Sequence, residues 1–265
     1  MNVAVCVKQT PSTTAVFTVA DGAVSWDDPG GKPLVMNPWD EYAVEEAIRL
    51  TENHGANLAY AVSLGEEAAL DVLKSSLAMG CKEAVLVSDD SFAGSDSVAT
   101  ARILAATIRK LDDVKIVVFG KQAIDGDSGN TPVQVARKLG WTPLTFVSEI
   151  KEVTADSITV ERLLEAGKQT VTAPLPVVIS VVKEANEPRY PSFMGIRKAN
   201  RATIPTLSAD DIDIDGEVGE ASSQVDWSNI YAPPARVMET EMITGGSAEE
   251  IAATLADRLM DEKVI

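Results

Sequence analysis

Short apolar runs alternate with longer stretches of helical periodicity along the first 180 residues. Met1–Val7, Asn57–Ser63, Ala84–Val87 and Lys115–Phe119 are each four to seven residues long and mostly lack the polar alternation of a half-solvated strand. Runs of this kind are buried on both faces, which is the pattern of a parallel sheet. Between them, Glu41–Thr51 places Ala43, Ala47, Ile48 and Leu50 on one helical face, and Glu66–Met79, Ser97–Leu111 and Gly129–Leu139 read as further helices. The alternation predicts an α/β fold with right-handed crossovers and helices on both faces. Its ligands belong at the carboxyl ends of the strands.

Two departures from the alternation are predicted. Thr18–Trp26 reads as a hairpin around Asp21-Gly22, a strong turn pair. After Trp141, Ser157–Leu163 and Gln169–Thr172 read as a β-ribbon, Val177–Val182 as one more buried strand, and Arg189–Phe193 as loop. Asp210–Glu220 is acidic with few large apolar residues and reads as a poorly packed linker. Ala248–Glu262 carries Ile251, Leu255 and Leu259 on one face of a terminal helix. The expected organisation is an α/β domain over residues 1–205, with an acidic carboxyl-terminal arm and helix over 206–265.

Charge supports the division and narrows the function. Residues 206–265 hold 14 acids and 3 bases, −11 of the chain's net −17. Such a balance argues against nucleic acid as a partner. Arg189, Arg197, Lys198 and Arg201 crowd a short basic stretch just before the arm. No apolar run reaches the roughly 20 residues of a membrane helix, and the amino terminus has neither a signal peptide's apolar core nor an Arg-rich transit helix. Cys6 and Cys81 lie in apolar surroundings, too few for a disulfide framework or metal cluster. A cytoplasmic location is expected. The single histidine, His54, sits in a helix end and turn, and no catalytic acid, base, nucleophile or metal site is expected.

Chemistry is concentrated in two loops. Gly120-Lys121-Gln122-Ala123-Ile124-Asp125-Gly126-Asp127-Ser128-Gly129-Asn130-Thr131 leaves a buried strand and enters a helix. Glycines there let backbone approach phosphate oxygens, and amides at the helix start donate to them. Ser128, Asn130 and Thr131 add polar contacts and Lys121 a positive charge. The loop is neither a Walker loop nor a dinucleotide GxGxxG, so the residues alone leave phosphate binding and a plain capped loop both open. Asn37-Pro38-Trp39-Asp40 also opens a helix, with Asn37 or Asp40 as the expected cap. Trp39 reads more simply as a hydrophobic staple than as a stacking platform. Gly94-Ser95-Asp96-Ser97 reads as an ordinary helix cap.

The stretch Asn37–Ala47 (NPWDEYAVEEA) resembles the NP[FY]DEYAVEEA segment of electron transfer flavoprotein β-subunits. Ala78-Met79-Gly80, the Gly120–Asp127 loop (GKQAIDGD) and Asn186–Ser192 (NEPRYPS) resemble further motifs of that family, in its order and spacing. The resemblance implies an adenine-nucleotide-hydrolase-like domain that buries AMP as a structural group and pairs with an α-subunit carrying the redox-active FAD. It implies electron transfer from dehydrogenases, of the acyl-CoA dehydrogenase type, to an acceptor such as a quinone oxidoreductase. Carried over by motif, the AMP pocket comprises Cys6, Asn37–Asp40, Leu64 and Gly120–Thr131, with Trp39 near the partner's flavin. Arg189, Tyr190, Phe193 and Met194 lie in the implied dehydrogenase-recognition loop, residues 186–200. Phe193 stands where the family carries an aliphatic anchor, and Lys198 and Arg201 would steer acidic partners. The arm is expected to cross the α-subunit. Some relatives bind a second FAD in place of AMP and bifurcate electrons from NADH. Gly94–Thr100 (GSDSVAT) is close to their Gly-Ala-Asp-Thr-x-Ala-Thr segment, so Ser97 and Thr100 are the alternative second-FAD contacts. A nucleotide-binding sensor of similar fold would need neither the arm nor the NEPRYPS loop.

Overall fold

The computed structural model describes residues 1–28, 31–225, 229–234 and 240–265. Its elements in chain order begin with β1 (Asn2–Cys6), β2 (Gln9–Pro11), β3 (Val16–Ala20), β4 (Ala23–Asp27), β5 (Leu34–Met36), α1 (Pro38–Asn53), β6 (Ala59–Leu64) and α2 (Leu70–Met79). Then come β7 (Glu83–Val87), α3 (Ser97–Lys110), β8 (Val114–Gly120), α4 (Thr131–Leu139), β9 (Thr142–Val153), β10 (Ser157–Leu164) and β11 (Gly167–Pro174). The last are β12 (Val177–Val181), α5 (Phe193–Ala199), β13 (Thr206–Leu207) and α6 (Ala248–Asp261).

The central sheet has nine strands in the order β11-β10-β9-β12-β8-β1-β6-β7-β13. From β9 to β13 every pairing is parallel, and only β10 runs the other way, antiparallel to β9 on one side and to β11 on the other. The wholly buried runs of β1 and β12 explain the parallel interior, since helices cover both faces. Val3, Val5, Ala61, Val118 and Ile179 pack under Val44, Ala47 and Ile48 of α1 and Leu73 of α2. On the other face Ala4, Val62, Val117 and Val178 pack under Ile103 and Leu104 of α3 and Val135 of α4. Each Val, Leu or Ile among them contributes about 1.5–3 kcal/mol by leaving water.

Several expectations are corrected. The expected ribbon of β10 and β11 continues the main sheet. Twelve-residue β9, unread in the sequence because TPLTFVSEIKEV is half polar, joins it to the main sheet. The segment after Ser192 is a seven-residue helix, α5, started by the Ser192 hydroxyl accepting from Gly195 N at 2.9 Å. Asp210–Glu220 is not poorly packed. Ile212 is buried in the core over α3, with Ile214 and Val218 beside it. The hydroxyl of Ser95 accepts from Gly219 N at 2.9 Å, and Asp96 Oδ2 accepts from Gln224 N at 2.9 Å. The first compact unit spans Met1–Ile230.

The β3–β4 hairpin turns at Asp21 and Gly22, both with positive φ, and Phe17 meets Trp26 edge-on at 5.9 Å. The second unit is Tyr231–Ile265. Its helix α6 opens with a capping box, Glu250 N donating to Ser247 Oγ and Ser247 N to Glu250 Oε2. No residue of α6 is buried, and Leu255 of the predicted apolar face is exposed. No helix among the described residues is long and apolar enough to cross a membrane.

Candidate functional site

Strand order reverses about β1, with β6 and β7 on one side and β8 on the other, so the crevice for ligands opens where β1 and β8 end. Cys6 ends β1 and is buried among apolar neighbours; burial, with Asp40 nearby, pushes its thiol up. Gly120 ends β8. A Cβ there would lie 2.5 Å from Asp40 Oδ1 and 2.6 Å from the Trp39 carbonyl carbon, so only glycine lets the start of α1 approach the strand this closely. Asp40 Oδ2 accepts from Lys8 N at 2.8 Å, and the carboxylate also accepts from Gly120 N. Burial pushes the Asp40 carboxyl up to about 7, against the pull of these backbone donors and of Asn37.

The expected caps are therefore corrected. Asn37 occupies the position before α1, but its side chain does not cap, and Asp40 is spent on the strand ends. Asn37 reaches instead across 85 residues: Nδ2 donates to Gln122 O at 2.9 Å, and Oδ1 accepts from Ile124 N at 3.2 Å. Pro38, at the first helical position, has no N–H to satisfy.

The loop after Gly120 is built by its own polar groups. Ala123 O accepts from Asp127 N at 2.9 Å, and Gln122 Nε2 donates to Asp127 Oδ1 at 2.7 Å. Lys8 Nζ pairs with Asp125 at 2.7 Å. Both loop acids thus have partners, which lowers their repulsion toward an anion. Asp127 and Gly129 take positive φ, and space around Gly126 is open. Ser128 is exposed and Thr131 half-buried. Asn130 precedes α4 without a side-chain cap, leaving that helix start free for an anion. Leu64, at the end of β6, is half-buried against the same core face as Cys6.

The start of α3 differs. Asp96 Oδ1 accepts from both Val98 N and Ala99 N at 2.9 Å, the cap expected from the sequence. Its carboxylate already occupies the amides a phosphate would use. Ser97 accepts from Gln134 Nε2 of α4 at 3.1 Å, and half-buried Thr100 lies one turn on.

Trp39 is neither staple nor free platform. Lys121 Nζ sits 5.2 Å from the Trp39 ring and 5.8 Å from that of Phe146, a cation held between two aromatic faces. Phe146 was not singled out from the sequence. Its φ of 58° is a conformation that nothing in the local sequence announces and that clusters at functional positions.

The 186–196 segment is held at its base and bare at its tip. Asn186 Nδ2 donates to Glu46 Oε2 at 2.8 Å and to Tyr42 O at 3.1 Å. The Arg189 guanidinium is spent on Glu45 and Glu52 of α1. Tyr190 is 96% exposed, Phe193 79% and Met194 67%. A cleft of about 370 Å³ lies at the ribbon, lined by Glu149, Glu161 and Lys168 and, just before this segment, by Glu184 and Ala185.

Residues 28–212 match the family described as Electron transfer flavoprotein domain. The chain is 35% identical over 276 residues to the electron transfer flavoprotein subunit beta of Megasphaera elsdenii, covering 100% of both. It is 32% identical over 267 residues to the Bacillus subtilis protein of the same name, again over 100% of each. A caffeyl-CoA reductase-Etf complex subunit, CarD of Acetobacterium woodii, is 35% identical over 267 residues with the same coverage.

Proposed function

The chain belongs to the electron transfer flavoprotein family, and from that premise we propose that it is the β-subunit of a heterodimer carrying electrons between a dehydrogenase and an acceptor such as a quinone oxidoreductase. In this reading the chain is a carrier subunit of the cytoplasm with no turnover chemistry of its own. The observation that carries the nucleotide part is the free start of α4, set at the strand-order reversal and approached by a loop whose acids are both paired.

An adenine mononucleotide fits this arrangement. Its phosphate would meet the amides of residues 128–131 at the start of α4, with Lys121 supplying positive charge. Asn37 and Asp40 hold the loop and strand ends in place before the ligand arrives, so little ordering is left to the binding step. AMP supplies no redox chemistry there. FAD, held mainly by the α-subunit, supplies it when bound, and Trp39 stands at the edge that the family places near that flavin. The Asp96 cap of α3 is common to both readings, since the second-FAD segment also carries an Asp at that place, so Ser97 and Thr100 remain the contacts that a second FAD would use. Phe193, Met194 and Tyr190 are the surface offered to an acyl-CoA dehydrogenase, and Lys198 and Arg201 lie near it in the chain. The exposed apolar positions of α6 are the surface offered to the α-subunit.

The test is transfer itself. The copurified heterodimer is mixed with an acyl-CoA dehydrogenase and its acyl-CoA, and the flavin absorbance is followed. Bleaching that requires the dehydrogenase is expected. Bleaching by NADH alone would favour the bifurcating alternative, and no bleaching by either would contradict the carrier reading.

A further inference from the structure

Helix α1 is unusual in burying carboxylates along its length. Asp40, Glu45 and Glu46 are 5%, 3% and 5% exposed. Buried charge is costly unless paired, and each of these has partners on a segment remote in sequence. Asp40 faces the strand ends, whereas Glu45 and Glu46 face the segment beginning at Asn186.

Arg189 is the centre of that second contact. Its Nε donates to Glu45 Oε2 at 2.8 Å and Nη2 to Glu45 Oε1 at 3.0 Å, a forked pair. Nη1 and Nη2 donate to the two oxygens of Glu52, each at 2.8 Å. The backbone N of Arg189 donates to Glu45 Oε2 at 3.1 Å. Glu52, two helical turns beyond Glu45, is therefore gripped by the same side chain. Just after this clamp the chain becomes the exposed Tyr190–Met194 surface. Gly195 then seats α5 on α2, for any Cβ there would collide with the carbonyl of Ala78.

We propose that Arg189 is a positioning residue: spent on Glu45 and Glu52, it fixes the Phe193–Met194 surface relative to the start of α1 and does not itself touch the docking dehydrogenase. The proposal rests on the reading of that surface as the docking site. It follows from donor arithmetic, since all three guanidinium nitrogens and four of the five N–H groups are engaged within the chain, while Phe193 and Met194 beyond it hold apolar side chains in water. Only a planar fork can hold both carboxylates; a lysine keeps one at a time. Because Asn37 and Asp40 at the start of α1 hold the crevice, one helix carries both the nucleotide loop and the docking loop.

The experiment uses the heterodimer with a purified acyl-CoA dehydrogenase and compares R189Q, R189K, E52Q and F193A. R189Q is expected to raise the KM for the dehydrogenase about tenfold, the ratio that 1.4 kcal/mol carries. Its kcat, nucleotide content and chemical reduction of the flavin should match the parent. R189K should lie between the two. E52Q, at a half-exposed position that tolerates change, should move KM in the same direction, and hydrogen exchange over residues 190–200 should speed in both. A raised KM in R189Q with no change in E52Q would mean direct contact of Arg189 with the dehydrogenase and would overturn the proposal. An unchanged KM in R189Q beside a raised one in F193A would overturn it while leaving the docking surface intact. If F193A is also silent, the docking reading fails and the proposal with it.

Discussion

At Gly120 the backbone of β8 touches the start of α1 so closely that a single methyl has nowhere to go. The atoms it would meet are the Asp40 carboxylate and the Trp39 backbone, neither a flexible chain end. Gly120→Ala should therefore destabilise the chain by about 1–3 kcal/mol or more, read as a lowered melting temperature, and an unchanged melt would refute the close approach. Asp40 makes a prediction in pH. Its folded carboxyl is raised to about 7 from an ordinary 3.8, chiefly by burial. The folded state then binds the extra proton between those values, so this group's stabilising contribution is full below about pH 4 and lost as pH rises through 7. Wild type should lose stability relative to Asp40→Asn between pH 5 and pH 7, at up to about 1.4 kcal/mol per pH unit. Denaturant unfolding of both proteins at several pH values checks this, and a constant difference would contradict it.

Among the elements, α1 does two tasks, and its residues show where sequence reading stops. Its apolar face was legible because Ala43, Ala47, Ile48 and Leu50 recur at helical spacing. The use of Asn37 was not, because its partners Gln122 and Ile124 are chosen by the reversal of strand order rather than by neighbours in the chain. Asn37→Ala should thus cost about 1–3 kcal/mol by orphaning partly buried backbone groups and should lower AMP retention, while the helix itself persists. Thermal melts and nucleotide assay of the purified protein test both halves; retained AMP at full stoichiometry would contradict the latch. The same division holds elsewhere. Strands β1, β6, β8 and β12 announce themselves as apolar runs, whereas β9 is half polar and visible only through its sheet partners. The loop from Gly120 to Thr131 was legible as a candidate from its glycines and its place after a strand. Phe146 was not, since its positive φ and its approach to Lys121 arise only after folding.

For the whole molecule, the two units divide the work. Met1–Ile230 contains both buried clusters, and Tyr231–Ile265 contributes α6, on which no residue is buried. A helix so bare gains its stability from a surface that covers it. Truncation after Ile230 should leave the first unit folded, with native far-ultraviolet dichroism, yet abolish copurification with the α-subunit; retained copurification would contradict the assignment of the arm. The central claim is that the crevice between β1 and β8 holds AMP beside a single partner-borne flavin. The direct measurement is to denature the purified heterodimer and quantify FAD and AMP by chromatography. One FAD and one AMP per heterodimer is the predicted result, and two FAD with no AMP would contradict it.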